Sequence, residues 1–274
     1  MRRAGLDMTA ILAGCGRGGS PFALSAFTRG RENEMNRLAE IVCMKIGIVG
    51  AGNIGHTLTR RFREVGHEVL IANSRGPETL TDIERETGAV AVTAHEAVRG
   101  VDVAIVTIPE SKVPQLPPDL FEGVPAETVV VDTGNYYPRQ RDGRIDDIEE
   151  GMPESQWVSE RIGRPVIKAF NNIYAEHLGT RGKPSTAESR IALPVAGDDA
   201  NAKAKVLKLM DDIGFDGVDA GPLDESWRQQ PGSPVYTSDR DIEGVRQGLL
   251  DARRERQPEW RATDRSPGTY DNPR

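Results

Sequence analysis

From Lys45 to Val49 the chain reads Lys-Ile-Gly-Ile-Val, short, β-branched and without charge after its first residue. A central strand of a parallel sheet has this pattern, because helices on both faces leave it no solvent side. The period then changes. Ile54, Leu58, Phe62 and Val65 fall close to one helical stripe, while Arg60, Arg61, Arg63 and Glu64 fill the remainder, which predicts an amphipathic helix ended at Gly66. Glu68 to Ala72 supplies a second strand. Strand, Gly-rich turn, helix and strand within about 30 residues make a βαβ unit.

The alternation continues along the chain. A helix follows Pro77, a short strand spans Ala89 to Val92, and Asp102 to Pro109 reads as a fourth strand stopped by proline. Thr128 to Asp132 is the fifth and Pro165 to Phe170 the sixth. Beyond them Arg190 to Ala196 is apolar, with Pro194 placing it at an edge or bulge. Val206, Leu209, Met210 and Ile213 mark the inner face of a helix, followed by a strand at Phe215 to Asp219 and a last helix from Ile242 to Ala252. The pattern predicts an α/β fold, a Rossmann-type doubly wound and mostly parallel sheet with a small C-terminal α/β extension.

Residues 44–256 form the expected folded domain. Residues 1–43 read as an N-terminal extension, disordered or upstream of the true start, since Met44 opens directly onto a strand. Arg2-Arg3 followed by Leu12-Ala-Gly-Cys15 superficially resembles a lipoprotein signal, but the apolar segment is short and interrupted by Asp7. Residues 257–274 are rich in Arg and Pro and read as a flexible tail.

Composition narrows the partners. A net charge of −7 argues against a nucleic-acid or anionic-membrane binder, and no apolar stretch reaches the roughly 20 residues that span a bilayer. The expectation is a soluble cytoplasmic protein. Two cysteines, Cys15 and Cys43, support neither a disulfide framework nor a thiolate metal site. His56, His67, His95 and His177 show no metal-ligand spacing and read as surface or helix-end residues. Ile242, Val245 and Leu249 on the last helix serve either a core or a homodimer contact.

Gly50-Ala51-Gly52-Asn53-Ile54-Gly55 sits between a buried strand and an amphipathic helix, the context in which G-x-G-x-x-G binds a dinucleotide. Gly50 allows the tight turn, Gly52 omits the Cβ that would block a pyrophosphate, and Gly55 lets helix and strand approach. The helix start offers free N–H groups and a positive dipole end to the phosphates. About 20 residues past the first glycine, NAD enzymes carry an acidic residue for the ribose. Here the sequence is Asn73-Ser74-Arg75. A hydroxyl and a guanidinium suit a 2′-phosphate, whereas a carboxylate would repel it, so NADP is the expected cofactor.

Ligands in open α/β sheets lie beyond the carboxyl ends of the strands. Thr107-Ile108-Pro109, the loop from Asp132 to Pro138 and the segment from Lys168 to Asn172 reach that edge. Asn135, Tyr136, Asn171 and Asn172 offer uncharged hydrogen-bonding groups for a carboxamide or planar acceptor, or serve as turn and packing residues. No catalytic acid or base stands out. Lys168 is a candidate, but a lysine near a strand end is more often solvated or paired with a carboxylate. Hydride transfer between two bound cofactors needs alignment and exclusion of water more than an acid/base pair.

Met44 to Gly55, the Asn73-Ser74-Arg75 loop, and Ala196-Gly197-Asp198-Asp199 leading into the Val206 helix together resemble the NADPH-dependent reductases of the deazaflavin coenzyme F420, over roughly Met44 to Ala252. The resemblance implies hydride transfer between NADPH and a deazaflavin or related flavin, without a covalent intermediate. It carries over Gly50, Gly52, Gly55, Ser74 and Arg75 as cofactor residues, and Ile108-Pro109 as part of the nicotinamide surround. In the segment from Glu225 to Tyr236, the residues Trp227, Arg228 and Tyr236 either cap the acceptor pocket or belong to a packing or dimer-contact loop. Two other readings remain at this stage: an NADPH-dependent reductase of a small carbonyl, imine or metal-chelate substrate, and a non-catalytic NADP sensor.

Overall fold

A computed structural model describes residues 43–255 and 268–274. The expectations for residues 1–43 therefore lie outside the described residues, Cys43 apart. Six strands form one parallel sheet: β1 (Lys45–Val49), β2 (Glu68–Ala72), β3 (Val90–Ala91), β4 (Val103–Val106), β5 (Val129–Asp132) and β6 (Ile167–Lys168). Their spatial order is β3-β2-β1-β4-β5-β6. The order reverses beside β1, which creates the crevice where such sheets bind ligands. The helices are α1 (Asn53–Glu64), α2 (Thr81–Thr87), α3 (Ala94–Val98), α4 (Asp146–Glu149), α5 (Glu154–Ile162), α6 (Ala175–Thr180), α7 (Ala200–Asp212) and α8 (Ile242–Asp251).

Alternation along the buried strands sorts side chains between two cores. Ile46, Ile48, Ile71, Val103, Ile105 and Val131 enter one core with Leu58 and Phe62 of α1. Val49, Ala72, Ala104, Val106 and Val130 enter the other, beneath Ala97, Val98 and Leu120. Burial of each large apolar side chain contributes about 1.5–3 kcal/mol. On the second face α3 comes so close to β1 that a Cβ on Gly47 would lie 1.5 Å from the Ala97 carbonyl oxygen.

The C-terminal extension is a parallel pair, β7 (Ala192–Val195) and β8 (Asp216–Asp219), crossed by α7. Val206, Leu209, Met210, Ile213 and Phe215 bury their side chains in the first core, so the extension is packed into the same domain. An antiparallel bridge between Lys168 and Ala196 joins it to the end of β6.

Several expectations are corrected. The sixth strand is limited to Ile167–Lys168, because Phe170 turns into the left-handed region at φ 61° and leaves the ladder. His67 is fully buried, not at the surface: its Nδ1 accepts from the Met44 N–H at 3.1 Å and its Nε2 lies 3.4 Å from Asp212. Burial lowers its pKa, against the pull of Asp212. The end of the segment read as a flexible tail makes contacts with the domain. Arg139 Nε donates to the Gly268 carbonyl at 2.9 Å, and the Arg274 N–H returns to the Arg139 carbonyl at 3.0 Å.

The contact at Gly47 is backbone on both sides and cannot yield by a rotamer change. Gly47→Ala is expected to destabilise the domain by about 1–3 kcal/mol, the ordinary cost of overpacking, read as a lower urea midpoint with unchanged m-value. An unchanged midpoint would show that α3 can move away freely.

Candidate functional site

The turn after β1 is built by three close approaches. Gly50 takes φ 122°, and a Cβ there would lie 2.1 Å from the Thr107 carbonyl oxygen. A Cβ on Gly55 would meet the Gly50 carbonyl oxygen at 1.9 Å, so helix α1 sits directly on the turn. Gly52 differs, because nothing lies within 4 Å of the position its Cβ would occupy. The same residue is the N-cap of α1, with no side-chain cap and no acidic residue in the first turn. Open space, uncapped N–H groups and a positive helix end together fit a pyrophosphate.

At the end of β2 the Asn73 side chain accepts from the Arg75 N–H at 2.8 Å and donates to Thr79 Oγ1 at 2.8 Å. Asn73 thus shapes the loop, while Ser74 and Arg75 are exposed beside it. They can hold a 2′-phosphate, and no carboxylate takes the place at the strand end where an NAD-specific site has one.

The cradle opens into a cleft of about 380 Å³. Gly52, Asn53 and Ile54 form its phosphate end, and Thr107, Ile108 and Pro109 one wall. Asn135 and Asn171 line the opposite side, where Asn171 Nδ2 donates to Asn135 Oδ1 at 3.1 Å. The other expected acceptor residues are elsewhere. Tyr136 is buried beside Ile148 and Trp157, with its hydroxyl bonded to the Gly143 carbonyl and Glu149. Asn172 lies behind the wall and donates to the Gln229 carbonyl at 2.9 Å. Trp227 lies against Arg228 and Arg254 and lines a separate cavity of about 360 Å³, and Arg228 does not line the cleft either.

Tyr137 and Phe170, within the two segments expected at this edge but not singled out there, line the cleft with Tyr236, as do Arg141, Tyr174 and Thr237, which reading by sequence missed. Tyr236 and Tyr137 meet through their hydroxyls, and the Arg141 guanidinium carbon lies 5.2 Å from the Tyr137 ring centre.

Under the Thr133–Asn135 loop lies a buried ionic cluster. Lys168 Nζ donates to the Gly134 carbonyl at 2.6 Å and to Asp132 at 3.3 Å, with Glu154 3.6 Å away. Ser155 donates to the same Asp132 carboxylate at 2.5 Å. Burial pulls the ammonium pKa down, yet Asp132, Glu154 and Glu110 more than offset it, and Lys168 stays charged. Glu110 is fully buried, and neither carboxyl oxygen has a hydrogen-bond partner among the described residues. Burial, then Asp132, push its carboxyl well above the usual range against the pull of Lys168. Lys168 is therefore a structural cation with no face on the cleft. The described residues contain no His, Cys, Asp or Glu group able to hold a metal, and no helix among them is long and apolar enough to cross a membrane.

Residues 45–136 match the family described as NADP oxidoreductase, coenzyme F420-dependent. A Sinorhizobium meliloti protein, SMa0349, of hypothetical function, is 30% identical with a TM-score of 0.60, over 74% of this chain and 97% of its own. The chain belongs to the F420-dependent NADP oxidoreductase family. Within this family's fold, an Arthrobacter protein provisionally called an F420-dependent NADP-reductase superposes with a TM-score of 0.53 at 20% identity, covering 66% of this chain and 86% of that one. The Escherichia coli protein YjhV is 45% identical over 76 residues, which are 28% of this chain and 48% of YjhV, so the match spans about half of that relative. The family match covers β1 through β5 and ends at Tyr136, one residue before the tyrosine that reaches the cleft.

Two predictions follow from the charges. Arg75→Ala should weaken NADPH binding by about 1.5–3 kcal/mol, the worth of a charge-assisted bond, and NADH far less; equal losses in calorimetric titrations would remove the phosphate assignment. For Glu110, the folded state holds a proton that the unfolded chain releases near pH 4.3. Its contribution is fully present below that pH and is lost as pH rises toward the folded pKa. The stability of Glu110→Gln relative to the parent should therefore climb as pH rises above about 4.3, by up to about 1.4 kcal/mol per unit, until the folded-state carboxyl itself ionises. A pH-independent difference would mean that Glu110 is ionised in the folded protein.

Proposed function

We propose that this chain is an NADPH-dependent reductase that delivers a hydride to an acceptor lodged in the cleft between Ile108-Pro109 and the Asn135–Asn171 side. The observation that carries the reading is continuity: the open cradle at Gly52 runs directly into the cleft. NADPH, when bound, supplies the hydride. The Asn53 and Ile54 N–H groups would take the pyrophosphate, and Ser74 and Arg75 the 2′-phosphate. Ile108 and Pro109 give the nicotinamide an apolar face and keep water from the reacting side, and the two asparagines orient amide or planar groups.

A deazaflavin is the acceptor that the family description names, and a cleft lined by amides and rings suits a planar partner. The second reading, a small carbonyl or imine, is favoured by the tyrosine pair on the same wall. Stopped-flow oxidation of NADPH with and without coenzyme F420, recording nicotinamide and deazaflavin absorbance together, separates them. The deazaflavin reading expects matched loss of both oxidised deazaflavin and NADPH. If NADPH binds and neither signal changes, that acceptor is wrong for this chain, and a protein that turns over no acceptor at all is an NADP sensor.

A further inference from the structure

Among the described residues four non-glycine positions take a left-handed backbone; Phe170 at φ 61° and Thr237 at φ 50° line the cleft, and Asp239 at φ 50° follows two residues after Thr237. For a β-branched residue such as Thr237 this conformation is a strained outlier, and strain of this kind persists only where the surroundings enforce it. The surroundings do so here. The Thr237 N–H donates to the Asn172 carbonyl at 2.8 Å. The Asp239 carboxylate is held by His177 Nδ1 at 2.7 Å and Arg181 Nη1 at 2.8 Å.

What this loop positions is Tyr236, whose phenol enters the cleft and meets the hydroxyl of Tyr137, 99 residues earlier in the chain. Tyr137 is fixed from its own side, by its N–H donating to Asp142 at 2.8 Å. Neither hydroxyl is needed to bind a dinucleotide. A hydride delivered to a carbonyl or imine carbon, by contrast, leaves charge on oxygen or nitrogen that a positioned proton donor must quench.

Resting on the reading of this cleft as the hydride-transfer site, we propose that Tyr236 is its proton donor, that Tyr137 replenishes Tyr236, and that the acceptor is a small carbonyl or imine compound. As the hydride forms a C–H bond at the acceptor carbon, the C=O or C=N π bond breaks and its electron pair takes the Tyr236 hydroxyl proton. The acceptor gains two electrons and two hydrogens, and NADPH becomes NADP+. Tyr137 then gives its proton to Tyr236 and is left as a phenolate, its ring 5.2 Å from the Arg141 guanidinium carbon, which also pairs with Asp142. Both tyrosines are half-buried, so solvent can return the proton. Burial pushes the Tyr236 phenol up to about 12, so it carries its proton at neutral pH.

The test uses the full chain with NADPH and three acceptors: cyclohexanone, 1-pyrroline and coenzyme F420. The expected result is NADPH consumption with cyclohexanone or 1-pyrroline. Tyr236→Phe should slow kcat about 10²–10⁴-fold, with NADPH affinity by nicotinamide fluorescence unchanged. Tyr137→Phe should slow it less, and the double variant no more than Tyr236→Phe alone, because both lie on one proton path. Independently of turnover, pyrrolidinone, an inert carbonyl, should bind the NADPH-free parent about tenfold more tightly than Tyr236→Phe, followed by protein NMR. Equal rates or equal pyrrolidinone affinities in parent and variant, or turnover with coenzyme F420 alone, would overturn the proton-donor assignment while leaving hydride transfer standing. No NADPH consumption with any of the three overturns both readings.

Discussion

One ammonium without access to water holds the floor of the cleft. Lys168 stands at the end of β6, Asp132 at the end of β5, Glu154 opens α5, and Glu110 follows the Pro109 that walls the cleft. All four side chains are buried. Desolvating such groups costs several kcal/mol per ion unless they pair, and removing one partner leaves an uncompensated charge. The arrangement ties the ends of β5 and β6 and the start of α5 to one point and fixes the Gly134 carbonyl, hence the loop that carries Asn135 and Tyr137. With the Lys168 charge set against three carboxyls, a proton on Glu110 brings the cluster closer to neutrality, consistent with the direction of its pKa.

The two ends of the cleft obey different physics. The phosphate end is made of backbone: a glycine turn, open space and the start of a helix, with charge supplied by the helix and by Arg75. The acceptor end is made of side chains arriving on irregular loops and stabilised by hydrogen bonds that hold strained backbone in place. Dinucleotide binding can thus persist across the family while the acceptor end varies.

This division also explains what could be read from the sequence. β1, α1, β2 and β4 were legible because a buried parallel strand and an amphipathic helix have incompatible periods, and the glycines mark the switch between them. The cradle and Arg75 came with them, since both are local to the chain. Tyr137 was not legible, because in an irregular loop nothing decides whether Tyr136 or Tyr137 faces the cleft. Tyr136 takes the buried place and Tyr137 the place on the cleft. Trp227 and Tyr236 share one segment, and only the left-handed turn at Thr237, invisible in the residue types, sends one of them into the cleft. Glu110 follows a proline, and nothing local to it in the chain announces its burial near Lys168, 58 positions away.

If the Gly52 cradle and the Ser74-Arg75 loop hold NADP with its nicotinamide end toward the cleft, the 2′-phosphate must contribute to affinity, which calorimetric titration of the unmodified protein with NADPH and with NADH measures. NADPH is expected to bind more tightly by about 1.5–3 kcal/mol, the contribution of charge-assisted bonds to one phosphate. Equal affinities, or no heat with either dinucleotide, would contradict it.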